Sequence, residues 1–225
     1  LKYLLLFGDG SYENRTPPPD NPNFIPTYQT RNSHVRIQSF TSDDYYGLLD
    51  AGEGEYEGLL DIGIGRLPVS STGQAEAMIG KIRDYINAPA AGPWKNIITM
   101  LADDEDNNIH MNDSDKLADI IESEEPAFNI EKIYLDSYKQ TTSISGQSYP
   151  DAEKAINDRI NNGCLLLNYS GHGNEMGLAH ERVLDAESIN SWFNKGKYPV
   201  FVTATCEFSR FDDVSVAVSY THLTL

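Results

Sequence analysis

Short apolar runs alternate with amphipathic stretches along most of the chain. YLLLF, Tyr3 to Phe7, and LLDIGIGRLPV, Leu59 to Val69, read as strands. Ala75, Met78, Ile79, Ile82 and Ile86 then recur at helical spacing behind a capping box on Ser71 and Gln74, and Pro89 stops that helix. The stripe is expected to pack into a core. From Asn96 the alternation becomes regular. NIITMLA is a strand and DDEDNNIHMND a polar loop, after which Asp113 caps a helix carrying Leu117, Ile120 and Ile121. Ile130 to Asp136 is a strand and TTSISGQSYP a loop. Pro150 opens a helix with the stripe Ala152, Ala155, Ile156 and Ile160, which Gly163 closes. LLLNYS from Leu165, a helix over Asp185 to Asn194 and a strand over Val200 to Val202 follow. Strand–helix–strand repetition of this kind implies an α/β fold with a mostly parallel sheet flanked by helices. Pro17 to Pro19, with Pro22 and Pro26, mark an extended surface loop, and Ala90 to Trp94 is the best linker.

Composition narrows the function. The 225 residues carry a formal charge of −17, which argues against nucleic acid and against an anionic membrane surface. No apolar run approaches a membrane span, so direct insertion is not expected. The two cysteines, Cys164 and Cys206, lie at opposite ends of different strands, which disfavours a bridge. Cys164 sits among apolar residues and reads as core.

Three polar residues stand just past strand ends: Asp103 after NIITMLA, His172 after LLLNYS and Cys206 after FVTAT. Right-handed crossovers point successive strands the same way, so all three should reach one edge of the sheet. Gly171 and Gly173 flank His172 and permit a sharp turn. A thiol beside an imidazole makes a nucleophile and base, with the thiol pKa lowered from roughly 8.5 to about 3–4 in such pairs. Asp103 is the candidate to hold the imidazole tautomer, with Asp104 in reserve. The backbone N–H groups of Gly173 and Cys206 are candidate oxyanion donors. His34, His110, His180 and His222 read as surface or structural. Catalysis of this kind needs no metal. A structural calcium is compatible with the alternation of Asp104, Asp106 and Asn108, although Ile109 stands where an EF-hand turn requires Gly.

These residues resemble the gingipain family of cysteine peptidases, through FGDGSYENR, IPTYQ, SDDYYG, LDIGIGRLPV, LADDEDNNIHM, NYSGHGNEMGLAHERVL and FVTATCEFSRFDD. The nearest likeness is to the secretion-system sortases within it. The resemblance implies a caspase-like αβα sandwich of two subdomains, placed here at residues 1–92 and 93–213. It implies His172 as base, Cys206 as nucleophile and Asp103 as third member. It further implies an exported enzyme at the bacterial cell surface, associated with the outer membrane. Such an enzyme cuts C-terminal secretion signals from proteins and passes the acyl group to an anionic lipopolysaccharide amine.

The likeness ends at Asp213. SYTHLTL at the end looks like translated adapter read-through, so residues 214–225 are expected to be a non-native tail on a catalytic domain truncated at its C-terminus. The competing readings are a catalytically inactive surface-binding module on the same fold, and a metal-dependent hydrolase using DDED.

Overall fold

The computed structural model describes residues 1–13, 23–31, 34–35, 38–54, 57–87, 91–144, 146–208 and 210–212. The loop around Pro17 to Pro19, the start of the Ala90 to Trp94 linker and the 214–225 tail lie outside the described residues. The chain forms two compact units, Leu1–Met78 with Arg210–Leu225, and Ile79–Ser209. The division falls at Met78, inside a helix, whereas the sequence reading placed the seam near Ala90 to Trp94.

In the first unit, strand β1 (Tyr3–Phe7) pairs in parallel with β4 (Gly63–Leu67). Between them in sequence, β2 (Tyr28–Gln29) and β3 (Thr41–Ser42) form an antiparallel pair. β4 is shorter than the apolar run Leu59 to Val69, because Leu59 and Leu60 remain exposed in the approach to it. Arg66 organises the unit. Its guanidinium grips both carboxylate oxygens of Asp43 at 2.6 and 2.7 Å and donates to the carbonyls of Gly8 at 2.9 Å and Ile25 at 3.3 Å. Phe211 lies 4.8 Å beneath it.

Helix α1 (Thr72–Asn87) begins with the expected capping chemistry, shifted slightly. Ser71 Oγ accepts from Gln74 N at 3.2 Å, while the Gln74 side chain accepts from Ser70 N at 2.7 Å. Its apolar stripe is not the core face expected of it: Met78 is buried, but Ile79, Ile82 and Ile86 are exposed.

The second unit is built on β5 (Ile97–Ala102), α2 (Ile109–Glu124), β6 (Asn129–Tyr134), α3 (Pro150–Asn162), β9 (Leu166–Ser170), α4 (Ala186–Asn190) and β13 (Val200–Ala204). All four long strands are parallel, in the order β13-β9-β5-β6. Ile98, Met100 and Ala102 alternate along β5 onto Ala118 of α2, with Tyr134 completing the cluster. Thr99 and Leu101, facing the other way, are also buried, so the sheet is covered on both faces at β5. α3 buries Ala152, Ile156 and Ile160, as its stripe predicts. Cys164 is fully buried and burial pushes its thiol pKa up.

Three local elements depart from the sequence reading. TTSISGQSYP holds a hairpin, β7 (Thr141–Ser143) with β8 (Gly146–Ser148). α2 starts four residues before Asp113, which lies inside the helix and pairs with Lys116 at 2.8 Å. α4 is shorter than the Asp185 to Asn194 run, and Asp185 caps it through Ser188 N at 2.9 Å. A small antiparallel meander follows β9: β10 (Gly173–Asn174), β11 (Gly177–Leu178) and β12 (Leu184–Asp185).

Strand order fixes where a ligand belongs. From β5 the chain moves outward to β6, then crosses back to β9 on the other side of β5 and on to β13. The direction of winding therefore reverses between β5 and β9. In open α/β sheets the crevice outside the carboxyl ends at such a reversal is the usual binding site.

Candidate active site

Register brings the three strand ends level. Ser170 at the end of β9 pairs with Ala102 of β5 on one side and Ala204 of β13 on the other. The ladder runs one step further, through Asp103 N to Ser170 O at 3.1 Å and Gly171 N to Ala204 O at 3.3 Å. Asp103, His172 and Cys206 thus emerge from neighbouring strands over one edge. Gly173 lies against the third strand end: a methyl there would meet Thr205 Oγ1 at 2.5 Å and the Cys206 carbonyl oxygen at 3.4 Å. Cys206 is exposed, and Glu207 after it turns through a left-handed φ of 52°.

The backbone of His172 is held from both sides. Its N–H donates to Asp103 Oδ2 at 2.9 Å. Its carbonyl accepts from the Tyr169 hydroxyl at 2.6 Å and from Ala179 N at 2.8 Å. The chain can pass between these groups only without a side chain at 171, since a methyl would stand 2.4 Å from Asp103 Cβ and 2.5 Å from the Tyr169 hydroxyl.

Asp103 was expected to hold the imidazole ring, and the structure gives it a different contact. It is 1% exposed and spends both oxygens on backbone, accepting from His172 N and, at 2.9 Å, from Asp104 N. Burial raises its carboxyl pKa, against the two N–H bonds that lower it. The ring itself meets Asp106: His172 Nε2 is 2.8 Å from Asp106 Oδ2. A straight continuation of β5 would carry Asp106 away. Instead Asp106, Asn107 and Asn108 all take left-handed backbone angles, φ 56°, 55° and 63°, and curl the loop back. Asp and Asn tolerate that region better than other non-glycine residues. The signal available in sequence was this DNN run.

Two more histidines join the ring. His180 stacks on His172 at 5.5 Å with 5° between planes, and His110 meets it edge-on at 5.2 Å. The Glu105 carboxylate, 2.7 Å from His180 Nδ1, holds that imidazole above its ordinary pKa. The sequence alone reads both histidines as surface or structural groups. His110 stands in the first turn of α2, and the left-handed residues before that helix bring Asp106 Oδ2 back to 3.4 Å from its Nε2.

Among the described residues, two groups of side chains could ligate a metal ion: Asp106 with His110 and His172, and Asp103 with Asp104 and Glu181. The expected calcium set of Asp104, Asp106 and Asn108 is therefore divided, with Asp104 and Asp106 in different groups. In the all-oxygen group, Asp104 Oδ1 and Glu181 Oε2 are buried without hydrogen-bond partners. Burial and the charges of Asp104, Asp103 and Glu105 raise the Glu181 pKa. Tyr149 donates to Asp104 Oδ2 at 2.6 Å and Gln140 to Glu181 Oε1 at 2.8 Å.

Residues 1–222 match the family model described as Peptidase family C25. No curated protein matches the sequence. The whole chain superposes on 45% of the Arg-specific cysteine proteinase gingipain R (RgpB), at TM-score 0.71 and 18% identity. It also covers 46% of a chain in the complex of Porphyromonas gingivalis RgpB pro- and mature domains, at TM-score 0.64 and 20% identity. A third solved structure, described as a protease, is covered to 42% at TM-score 0.69 and 16% identity. At these identities the likeness is one of fold, and it is the gingipain-like α/β arrangement that the sequence motifs imply. The chain spans less than half the length of each of these structures.

Proposed function

We propose that this chain, which belongs to peptidase family C25, carries the catalytic pair of a cysteine peptidase, with Cys206 as nucleophile and His172 as base. The carrying observation is the register that sets Ser170 between Ala102 and Ala204. In this reading the Cys206 thiol gives its proton to His172, and the thiolate attacks a substrate carbonyl. The tetrahedral oxyanion is received by backbone N–H groups, with Gly173 and Cys206 the candidates, each worth about 2.7–4 kcal/mol where measured in other enzymes. Collapse breaks the C–N bond, the imidazolium protonates the leaving amine, and a thioester remains on Cys206. Water or an amine then resolves it. With Nε2 turned to Asp106, Nδ1 is the ring nitrogen left for exchange with sulfur. Asp106 orients the ring, and Asp103 positions the loop that carries it.

The finer reading follows the likeness to PorU, the type IX secretion sortase. The substrates are then exported proteins bearing a C-terminal secretion signal. The acceptor is an amine of an anionic lipopolysaccharide, and the site of action is the outer-membrane surface. No helix among the described residues is long and apolar enough to cross a membrane. The route uses no cofactor. The carboxylates of Asp103, Asp104 and Glu181 would suit calcium in a structural role.

Alkylation tests the pair. Iodoacetamide at mildly acidic pH should label Cys206 at least about tenfold faster than an unactivated thiol, and His172→Ala should remove that advantage. Cys164, fully buried, serves as the unreactive control. Equal labelling with and without His172 would favour the inactive binding module. Incubating a peptide that ends in a secretion signal with an added amine should give amide product, and acid alone would restrict the activity to hydrolysis.

A further inference from the structure

The nitrogen of His172 that meets Asp106 is also part of a second arrangement. Asp106 Oδ2 lies 2.8 Å from His172 Nε2 and 3.4 Å from His110 Nε2. One ligand atom from each of the three residues falls within 4.8 Å of the others. His110 Nε2 is buried and makes no hydrogen bond. A buried imidazole nitrogen without a hydrogen bond is costly, and here it faces a carboxylate and a second imidazole. Two ligands each about 2.0–2.1 Å from a tetrahedral zinc stand roughly 3.3 Å apart, so the observed spacings need only small side-chain adjustments.

From this geometry we propose that Asp106, His110 and His172 form a binding site for zinc or a similar borderline divalent ion, and that occupancy silences the base. Two imidazoles and one carboxylate favour zinc over calcium or magnesium, which prefer oxygen throughout. A fourth position is left for water. Glu105 Oε2, 3.7 Å from His172 Nε2, adds a second carboxylate beside the ion. The effect on catalysis follows from valence. When metal takes Nε2 of the neutral ring, the proton there moves by way of solvent to Nδ1; a doubly protonated ring releases its Nε2 proton to solvent and keeps the one on Nδ1. Either way no lone pair remains to accept the thiol proton. The silencing rests on the peptidase reading of His172; the metal site does not.

The two are separable by experiment. In the chain carrying Cys206→Ala, so that sulfur cannot ligate, Co²⁺ should develop the visible absorption of a four-coordinate nitrogen–oxygen site, bleached by Zn²⁺. His110→Phe keeps an aromatic edge against His172 and deletes the nitrogen, and should weaken zinc binding at least about tenfold. Should that variant fold poorly, ¹⁵N imidazole spectra of the Cys206→Ala chain read ligation directly: Nε2 of His110 and His172 shift with zinc and His34 does not. Absence of both signals at millimolar metal overturns the site, as does equal zinc affinity in a folded His110→Phe. In the chain with Cys206 intact, zinc should slow alkylation of the thiol, and His110→Phe should relieve that inhibition. Cobalt binding through these residues with no His172-dependent labelling would keep the site and sink the peptidase reading. Activated labelling with no cobalt binding would do the reverse.

Discussion

Each unit ends a parallel strand in the same device and uses it differently. In the first, β1 runs through Gly8 to Asp9, whose Oδ1 accepts from Gly10 N at 2.9 Å. In the second, β5 runs into Asp103, whose Oδ1 accepts from Asp104 N at 2.9 Å. Both carboxyls have raised pKa values because they are shielded from water. What surrounds them differs. Asp9 feels the guanidinium of Arg66, which is itself consumed by Asp43 and by the carbonyls of Gly8, Ile25 and Pro26. Asp103 faces a different set: its second oxygen takes the backbone of a histidine loop, and its neighbours in charge are the Asp104 carboxylate and the His172 imidazole. A buried acid beside a committed arginine is structural. A buried acid that supports an imidazole, among other acids, is where perturbed groups signal function.

The largest break in this comparison should come from Arg66. Its side chain is 4% exposed, so Arg66→Ala leaves Asp43 charged and unpaired. The expected loss is about 3–5 kcal/mol of unfolding free energy, read from a urea midpoint at constant slope. A loss below about 1 kcal/mol would mean the pair contributes no more than an exposed one.

A smaller effect separates the glycines that follow β1 and β9. A methyl on Gly171 meets Asp103 Cβ and the Tyr169 hydroxyl at 2.4 and 2.5 Å, both fixed by their own bonds. One on Gly8 meets chiefly the side chain of Ile25 at 2.9 and 3.1 Å, which can shift. Gly171→Ala should cost about 1–3 kcal/mol and slow alkylation of Cys206, while Gly8→Ala costs less and leaves the labelling rate alone. Matching losses, or unchanged labelling in Gly171→Ala, would show that the tight passage does not position His172.

Much of the second unit could be read in the sequence, because its strands spell out as apolar runs, most fully at β5, which is buried on both faces. Their parallel repetition alone carried Asp103, His172 and Cys206 to one edge. What escaped was local and polar. The β7–β8 hairpin has no apolar alternation, since β7 is exposed at every position. The start of α2 hides behind three left-handed residues, where Asp113 looked the better cap. The Asp106 contact with His172 joins residues 66 apart in sequence, which no periodicity reports. The stripe Ile79, Ile82 and Ile86 has helical spacing and yet stays exposed. Periodicity predicted the helix there and not its burial.

The smallest effect concerns how the two strand-end acids titrate. Asp9 is raised from 3.8 to about 6, burial being the largest cause. The folded chain therefore keeps a proton on Asp9 that the unfolded chain has released, over the window from about pH 4 to about pH 6. More protons bound in the folded state means that stability falls as pH rises through that window. This is opposite to the slope of an aspartate held ionised by a salt bridge. Asp9→Asn removes the titrating group, so the pH dependence of the melting temperature should be flatter in the variant across that window, with little difference outside it. Arg66→Ala sharpens the test. The arginine charge lowers the Asp9 pKa, so its removal should carry the upper end of the window further up. Parallel melting curves for wild type and Asp9→Asn between about pH 4 and 6 would show that Asp9 ionises as an ordinary solvated acid, and the likeness between the two strand ends would then be one of geometry alone.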